Sequence, residues 1–183
     1  MSAERYRPHV GLQKLVRNHS NRNVLMLDVE LIVIHDTESA NLPKFKDLAG
    51  VGAWFDNPIS DASSHVCTDA EGNSARFVRD HDKAWSCRFY NPVSFNIEQI
   101  GFAQQGSWGE PELRETARWI AFWHHNWGIP ILKGKVSVDG KIVRPGVIRH
   151  SELGRLGGNH SDPGSSYPLA HVNDVARFFA KKY

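Results

Sequence analysis

Continuous and alternating apolar runs mark the strands of this chain. Residues 24–35, VLMLDVELIVIH, are rich in β-branched and apolar side chains and predict a strand whose C-terminal half is largely buried. Residues 63–69 and 75–79 read as two strands joined by a turn at Glu71-Gly72-Asn73. Residues 94–103 predict a further strand, with Phe95, Ile97 and Gln99 on one face and Asn96, Glu98 and Ile100 on the other. Residues 135–143 read as a hairpin around Asp139-Gly140. Three segments carry helical spacing. In residues 41–55, Leu42, Phe45, Leu48, Ala49 and Gly52 share a face, and Asn57-Pro58 stops the helix. Residues 111–127 have Pro111 near the first turn, acidic Glu110 and Glu112 beside it and Gly128 after the end, with Leu113, Ala117, Ile120, Ala121 and His124 on one face. Residues 168–181 form a last helix from Pro168 to Lys181. The polar N-terminus predicts only a short helix near residues 10–16 and a loop over 18–23. Strands and helices that mix without strict alternation imply an α/β or α+β domain with one central sheet.

Composition narrows the class. A chain of 183 residues, 40% hydrophobic and 23% charged, fits one soluble domain with a sizeable core. We expect a single domain over 1–183, residues 1–23 being an extension. No run approaches the roughly 20 apolar residues of a membrane helix, and the N-terminus has no apolar signal region. A net charge of +2, without a basic stripe interleaved with aromatics, argues against nucleic acid as a partner. Two cysteines, Cys67 and Cys87, are too few for a disulfide scaffold, and two reduced, buried thiols are expected. Ten histidines raise the question of metal or acid–base chemistry. His9, His19 and His81 lie in loops, His124 and His125 near a helix end, and His171 on the last helix; none needs a function.

Three places could carry chemistry. His35 ends a buried strand in IVIHDTES, where open sheets put their active sites. The alternative is a histidine hydrogen-bonded at the sheet edge. His150, His160 and Asp162 lie in a polar, Gly-rich stretch, RHSELGRLGGNHSDPG, which could close around a cation or simply be a solvated loop with an Asp-Pro-Gly turn. Glu98 alternates with apolar positions in FNIEQIGF, so it faces either solvent or a site.

Taken in order, the blocks IVIHDTES, SSHVCTDAEGNSARFVRDHDKAW, NPVSFNIEQIGFA and VIRHSELGRLGGNHSDPGSSYP resemble the zinc-dependent N-acetylmuramoyl-L-alanine amidases of type 2. That group shares its fold with the peptidoglycan recognition proteins and includes many bacteriophage endolysins, so the resemblance implies an α/β single domain with a central mixed β-sheet flanked by helices. The resemblance implies one Zn2+ per chain held by His35, His150 and Asp162. It implies Glu98 as the catalytic glutamate of the strand that the family writes Ser-Ile-Gly-Ile-Glu. His160 takes the place of a frequent lysine, as the oxyanion partner, and Ser64 and His65 match the block lining the substrate cleft. It implies peptidoglycan as partner, and a monomeric enzyme acting on the bond between N-acetylmuramic acid and L-alanine. A non-catalytic peptidoglycan-binding module and a zinc hydrolase of another amide are the alternatives. Three departures stand out: Trp85-Ser86 where Trp-His is common, Arg149 for the glycine before the second ligand, and His160 for lysine. With no signal peptide visible, a phage enzyme released to the wall and a cytoplasmic amidase both fit, as does the catalytic domain of a longer endolysin.

Overall fold

A computed structural model describes residues 7–23 and 28–182. Six strands form the central sheet, in the order β1-β5-β4-β7-β3-β10. They are β1 (Val10–Gln13), β3 (Leu31–Asp36), β4 (Val66–Thr68), β5 (Ser74–Arg76), β7 (Ser94–Gln99) and β10 (Gly146–Arg149). The run β4-β7-β3-β10 is parallel, β5 is antiparallel to β4, and β1 is parallel to β5. The sheet is therefore mixed, as expected. Two short antiparallel ribbons stand apart from it: β2 (His19–Asn21) with β6 (Asp82–Ala84), and β8 (Lys135–Val136) with β9 (Ile142–Arg144).

β3 is fully enclosed, with all six residues buried and a partner on each side. A parallel strand covered on both faces tolerates a continuous apolar run. Helix α2 (Glu110–Trp127) and helix α4 (Leu169–Ala180) cover one face of the sheet. Their Trp119, Trp123, Val172 and Phe179 pack on Ile32, Ile34, Phe95 and Ile97. The Phe95 and Trp123 rings stack at 4.5 Å and 7°. Helix α1 (Lys46–Phe55) covers part of the other face, where Leu48, Phe55 and Phe77 meet Cys67 and Ile100. Leu31 and Val33, also on that face, pack with Cys87, Tyr90 and Leu153. Residues 94–99 thus alternate as expected: Phe95 and Ile97 enter the helix-covered core, while Asn96 and Glu98 face away from it.

Two expectations about the N-terminal part are corrected. Residues 10–13 form strand β1, not a helix. Burial alternates with period two there: Leu12, Lys14 and Val16 turn inward while Gln13 and Leu15 stay exposed. Pairing with β5 decides between the periods, and seven residues alone could not. The loop expected over 18–23 contains β2, held by β6. The strand expected over 24–35 is realised as Leu31–Asp36, and residues 24–27 lie outside the described ones. The β4–β5 turn forms as expected, with the Asp69 carboxylate accepting from the amides of Glu71 (3.0 Å) and Asn73 (2.8 Å) and Gly72 at φ 81°. Both cysteines are free and buried. Among the described residues, no helix is long and apolar enough to cross a membrane.

Candidate active site

The site lies where the parallel strands end, the edge at which open α/β sheets place their ligands. His35 is the penultimate residue of β3 and is in register with Glu98 of β7. Paired residues of neighbouring strands point to the same face, so this register alone sets the imidazole and the carboxyl side by side. His150 follows the last residue of β10, whose Arg149 pairs with Ile34. The chain then passes through α3 (Gly154–Gly157) and returns over the site with His160 and Asp162.

His35, His150 and Asp162, all buried, converge on one point. The two Nδ1 atoms are 2.9 Å apart, and the Asp162 Oδ2 lies 3.3 Å from that of His35 and 3.1 Å from that of His150. The outer nitrogens are also engaged. His150 Nε2 is 2.9 Å from the Gly157 carbonyl oxygen, which can only accept, so Nε2 carries the hydrogen. His35 Nε2 is 3.0 Å from Asn96 Oδ1. With hydrogens on both Nε2 atoms, the neutral rings turn two Nδ1 lone pairs toward each other and toward a carboxylate. Such convergence is repulsive unless a cation or extra protons occupy it. Donors bound about 2.0–2.2 Å from a tetrahedral zinc lie roughly 3.3–3.6 Å apart, a few tenths of an ångström wider than the 2.9, 3.1 and 3.3 Å found here. The donor set, the tautomers and the spacing all fit a metal ion.

Charge around this point is tuned by burial and by neighbours. Burial acts to raise the Asp162 carboxyl, but the His150 and His35 imidazoles outweigh it and hold it well below the usual carboxylate range. Burial, and then the adjacent His35, push His150 down. Glu98 is driven well above its ordinary value by burial and then by Asp162 and Asp36. Asp36 itself is pushed up to about 7 by burial, against the Glu38 amide that lowers it. His160 stacks on His150, centroids 4.2 Å apart and planes 18° from parallel, with its Nδ1 3.6 Å from Asp162 Oδ1. Half of its side chain remains open to solvent. A cleft of about 260 Å³ opens above, bordered by Glu98, His160, Ser161, Trp85, Ser86 and Phe55. It shares Asp36, Phe55, Ala62 and Glu98 with a larger groove of about 570 Å³ along α1, lined also by Leu42, Lys46 and Trp54.

Five of the seven expected site residues therefore meet: His35, His150, Asp162, Glu98 and His160. Ser64 and His65 do not line the cleft, which corrects the expectation for them. Both are fully buried, and they clamp the main chain of Asn96. Ser64 Oγ donates to the Asn96 carbonyl at 2.8 Å, and the Asn96 amide donates to His65 Nδ1 at 3.1 Å. Ala62 and Ser63, just before them, reach the cleft instead. Asn96 and the Gly157 carbonyl were missed. Strand alternation had already put Asn96 on the face of Glu98, but nothing in the sequence showed that it touches His35.

Residues 25–165 match the family of N-acetylmuramoyl-L-alanine amidases. The chain belongs to that family. No curated protein sequence matches it significantly. Its fold is that of several solved structures of low sequence identity. A selenomethionine derivative of AmpD superposes with a TM-score of 0.65 at 14% identity, over 90% of this chain and 93% of that one. The Staphylococcus aureus hydrolase AmiA, in complex with its ligand, gives 0.65 at 16% identity, over 100% and 90%. The ectodomain complex of peptidoglycan recognition proteins LCa and LCx with tracheal cytotoxin gives 0.58 at 13%, over 80% and 84%. The mixed α/β architecture of this amidase-family chain is thus shared by enzymes and by recognition proteins.

Proposed function

We propose that this protein is a zinc hydrolase that cleaves the amide between N-acetylmuramic acid and L-alanine in peptidoglycan. The observation that carries this reading is the convergence of His35 Nδ1, His150 Nδ1 and Asp162 Oδ2 beside Glu98. The residues bear the chemistry, and the family supplies substrate and bond. Zinc held by the two histidines and Asp162 would polarise the scissile carbonyl and lower the pKa of a bound water to about 7.

The remaining work falls to side chains. Glu98 faces the cleft from a rigid strand and takes the proton of the attacking water. As the carbonyl carbon gains the water oxygen and its bond to nitrogen breaks, Glu98 passes that proton to the leaving amine. Burial raises the carboxyl above its ordinary value, which makes it a stronger base. His160, anchored by its stack on His150, presents an N–H to the oxyanion of the tetrahedral intermediate. The groove along α1 takes the stem peptide.

A second reading, a peptidoglycan-binding module without turnover, is suggested by the likeness to the recognition-protein complex. The complete ligand set with Glu98 favours catalysis. Mass spectrometry of purified peptidoglycan incubated with the protein, with and without a chelator, separates the two. We expect free stem peptides that begin with an L-alanine amine, and none after chelation. Protein that sediments with the wall while every stem peptide stays attached would establish the binding module. Fragments cut at another amide would establish a different hydrolase.

A further inference from the structure

We infer that Asn96 is a positioning residue that sets the tautomer of His35 and so prepares its Nδ1 to hold the metal ion. The inference rests on the zinc reading above. Asn96 is fully buried on β7, two residues before Glu98 and on the same face. It pairs with Val33, one step along the face from the His35–Glu98 pair, which places its amide directly behind the His35 ring. Its Oδ1 is 3.0 Å from His35 Nε2.

The amide could in principle present either end to the imidazole. An Nδ2 there would make Nε2 an acceptor and move the ring hydrogen to Nδ1, where it would block a metal. In the structure the oxygen faces the ring. Asn96 Nδ2 donates to Ser94 Oγ at 3.2 Å, and the Cys87 thiol donates to Asn96 Oδ1 at 3.4 Å. Ser94 Oγ lies 3.2 Å from Cys87 Sγ, so its hydroxyl hydrogen can close the ring of three. Each member then donates once and accepts once, and Oδ1 is left with capacity for the His35 N–H. The main chain of Asn96 is fixed independently by Ser64 and His65. An outer partner of this kind fixes ring orientation and typically contributes about 10–100-fold to metal affinity.

The test begins with metal-free wild-type protein carrying 15N-labelled histidine. Two-bond 15N–1H spectra, recorded with the imidazoles neutral, should show His35 as the Nε2–H tautomer. An Nδ1–H tautomer overturns the inference without any variant. Zinc affinity is then measured by competition with a chromophoric chelator. Asn96→Ala should bind zinc about 10–100-fold more weakly and show mixed His35 tautomers. Asn96→Asp keeps an acceptor at the same place and should recover both. Thermal unfolding of each variant checks that the fold persists. Unchanged affinity in Asn96→Ala overturns the inference alone, whereas wild-type protein that binds no zinc overturns the zinc reading and this inference together.

Discussion

The site has a strand-borne half and a loop-borne half, and they are built differently. His35 and Glu98 sit on β3 and β7, paired strands in register, with the apolar core behind them. His150, His160 and Asp162 sit on a Gly-rich segment with short helical turns at residues 150–152 and 154–157, packed on the sheet through Leu153 and otherwise tied down by hydrogen bonds. Ser151 N donates to the Asp162 carbonyl at 2.9 Å, Arg149 reaches the Gly164 carbonyl at 3.2 Å, and Ser166 Oγ donates to the Gln105 carbonyl at 2.7 Å. The buried Tyr167 hydroxyl accepts from Gln99 Nε2 at 2.6 Å, which links the end of this segment to the end of β7. One half is set by the fold. The other is assembled against it, and a metal ion would be the strongest tie between them.

The largest expected effect separates chemistry from assembly. Glu98→Gln removes the proposed base on the rigid half while nearly keeping its shape. Turnover on purified peptidoglycan should fall by about 10²–10⁴-fold with zinc affinity preserved. Near-normal turnover would reduce Glu98 to a bystander in the cleft. On the loop half, His160→Ala should lower turnover by roughly 10²–10³-fold, the usual loss for one oxyanion donor. His160→Lys restores a donor and should recover much of it. Equal rates for the Lys and Ala variants would show that His160 does not serve the oxyanion.

A third measurement addresses the comparison itself. In hydrogen exchange, chelating the metal should speed amide exchange over residues 150–166 by up to roughly a hundredfold, if zinc had stood near 100 times its Kd, and leave β3 and β7 nearly unchanged. Uniform acceleration over both halves would mean that they open as one unit. The smallest effect belongs to the link between them. Tyr167→Phe deletes one buried hydrogen bond and should lower stability by about 1 kcal/mol, read as a Tm shift of roughly 2–4 °C. An unchanged Tm would show that the Gln99 contact contributes nothing net.

The same division governs what could be read from the sequence. The alternation of SFNIEQ placed Glu98 and Asn96 on one face and Phe95 and Ile97 on the other, because a strand has only two faces. His35 at the end of IVIH marked a sheet edge for the same reason. Loop-borne His150, His160 and Asp162 had no period to reveal them, and only their resemblance to a family joined them to His35. Ser64 and His65 misled because a matched block says nothing about which way its side chains turn. In this chain they turn inward and hold Asn96. VGLQKLV misled at the N-terminus because its partner strand, more than sixty residues away, decides its conformation.

The two thiols lie under the strand-borne half. Cys67 is in register with Glu98, and Cys87 sits behind Asn96. Both are fully enclosed, and burial pushes the Cys87 thiol up to about 12. An alkylating reagent therefore cannot reach a thiolate in the closed molecule, and labelling must wait for the layer beneath His35 and Glu98 to breathe. Its rate is a clock for that motion, readable by mass at each cysteine without engineering a probe into the protein.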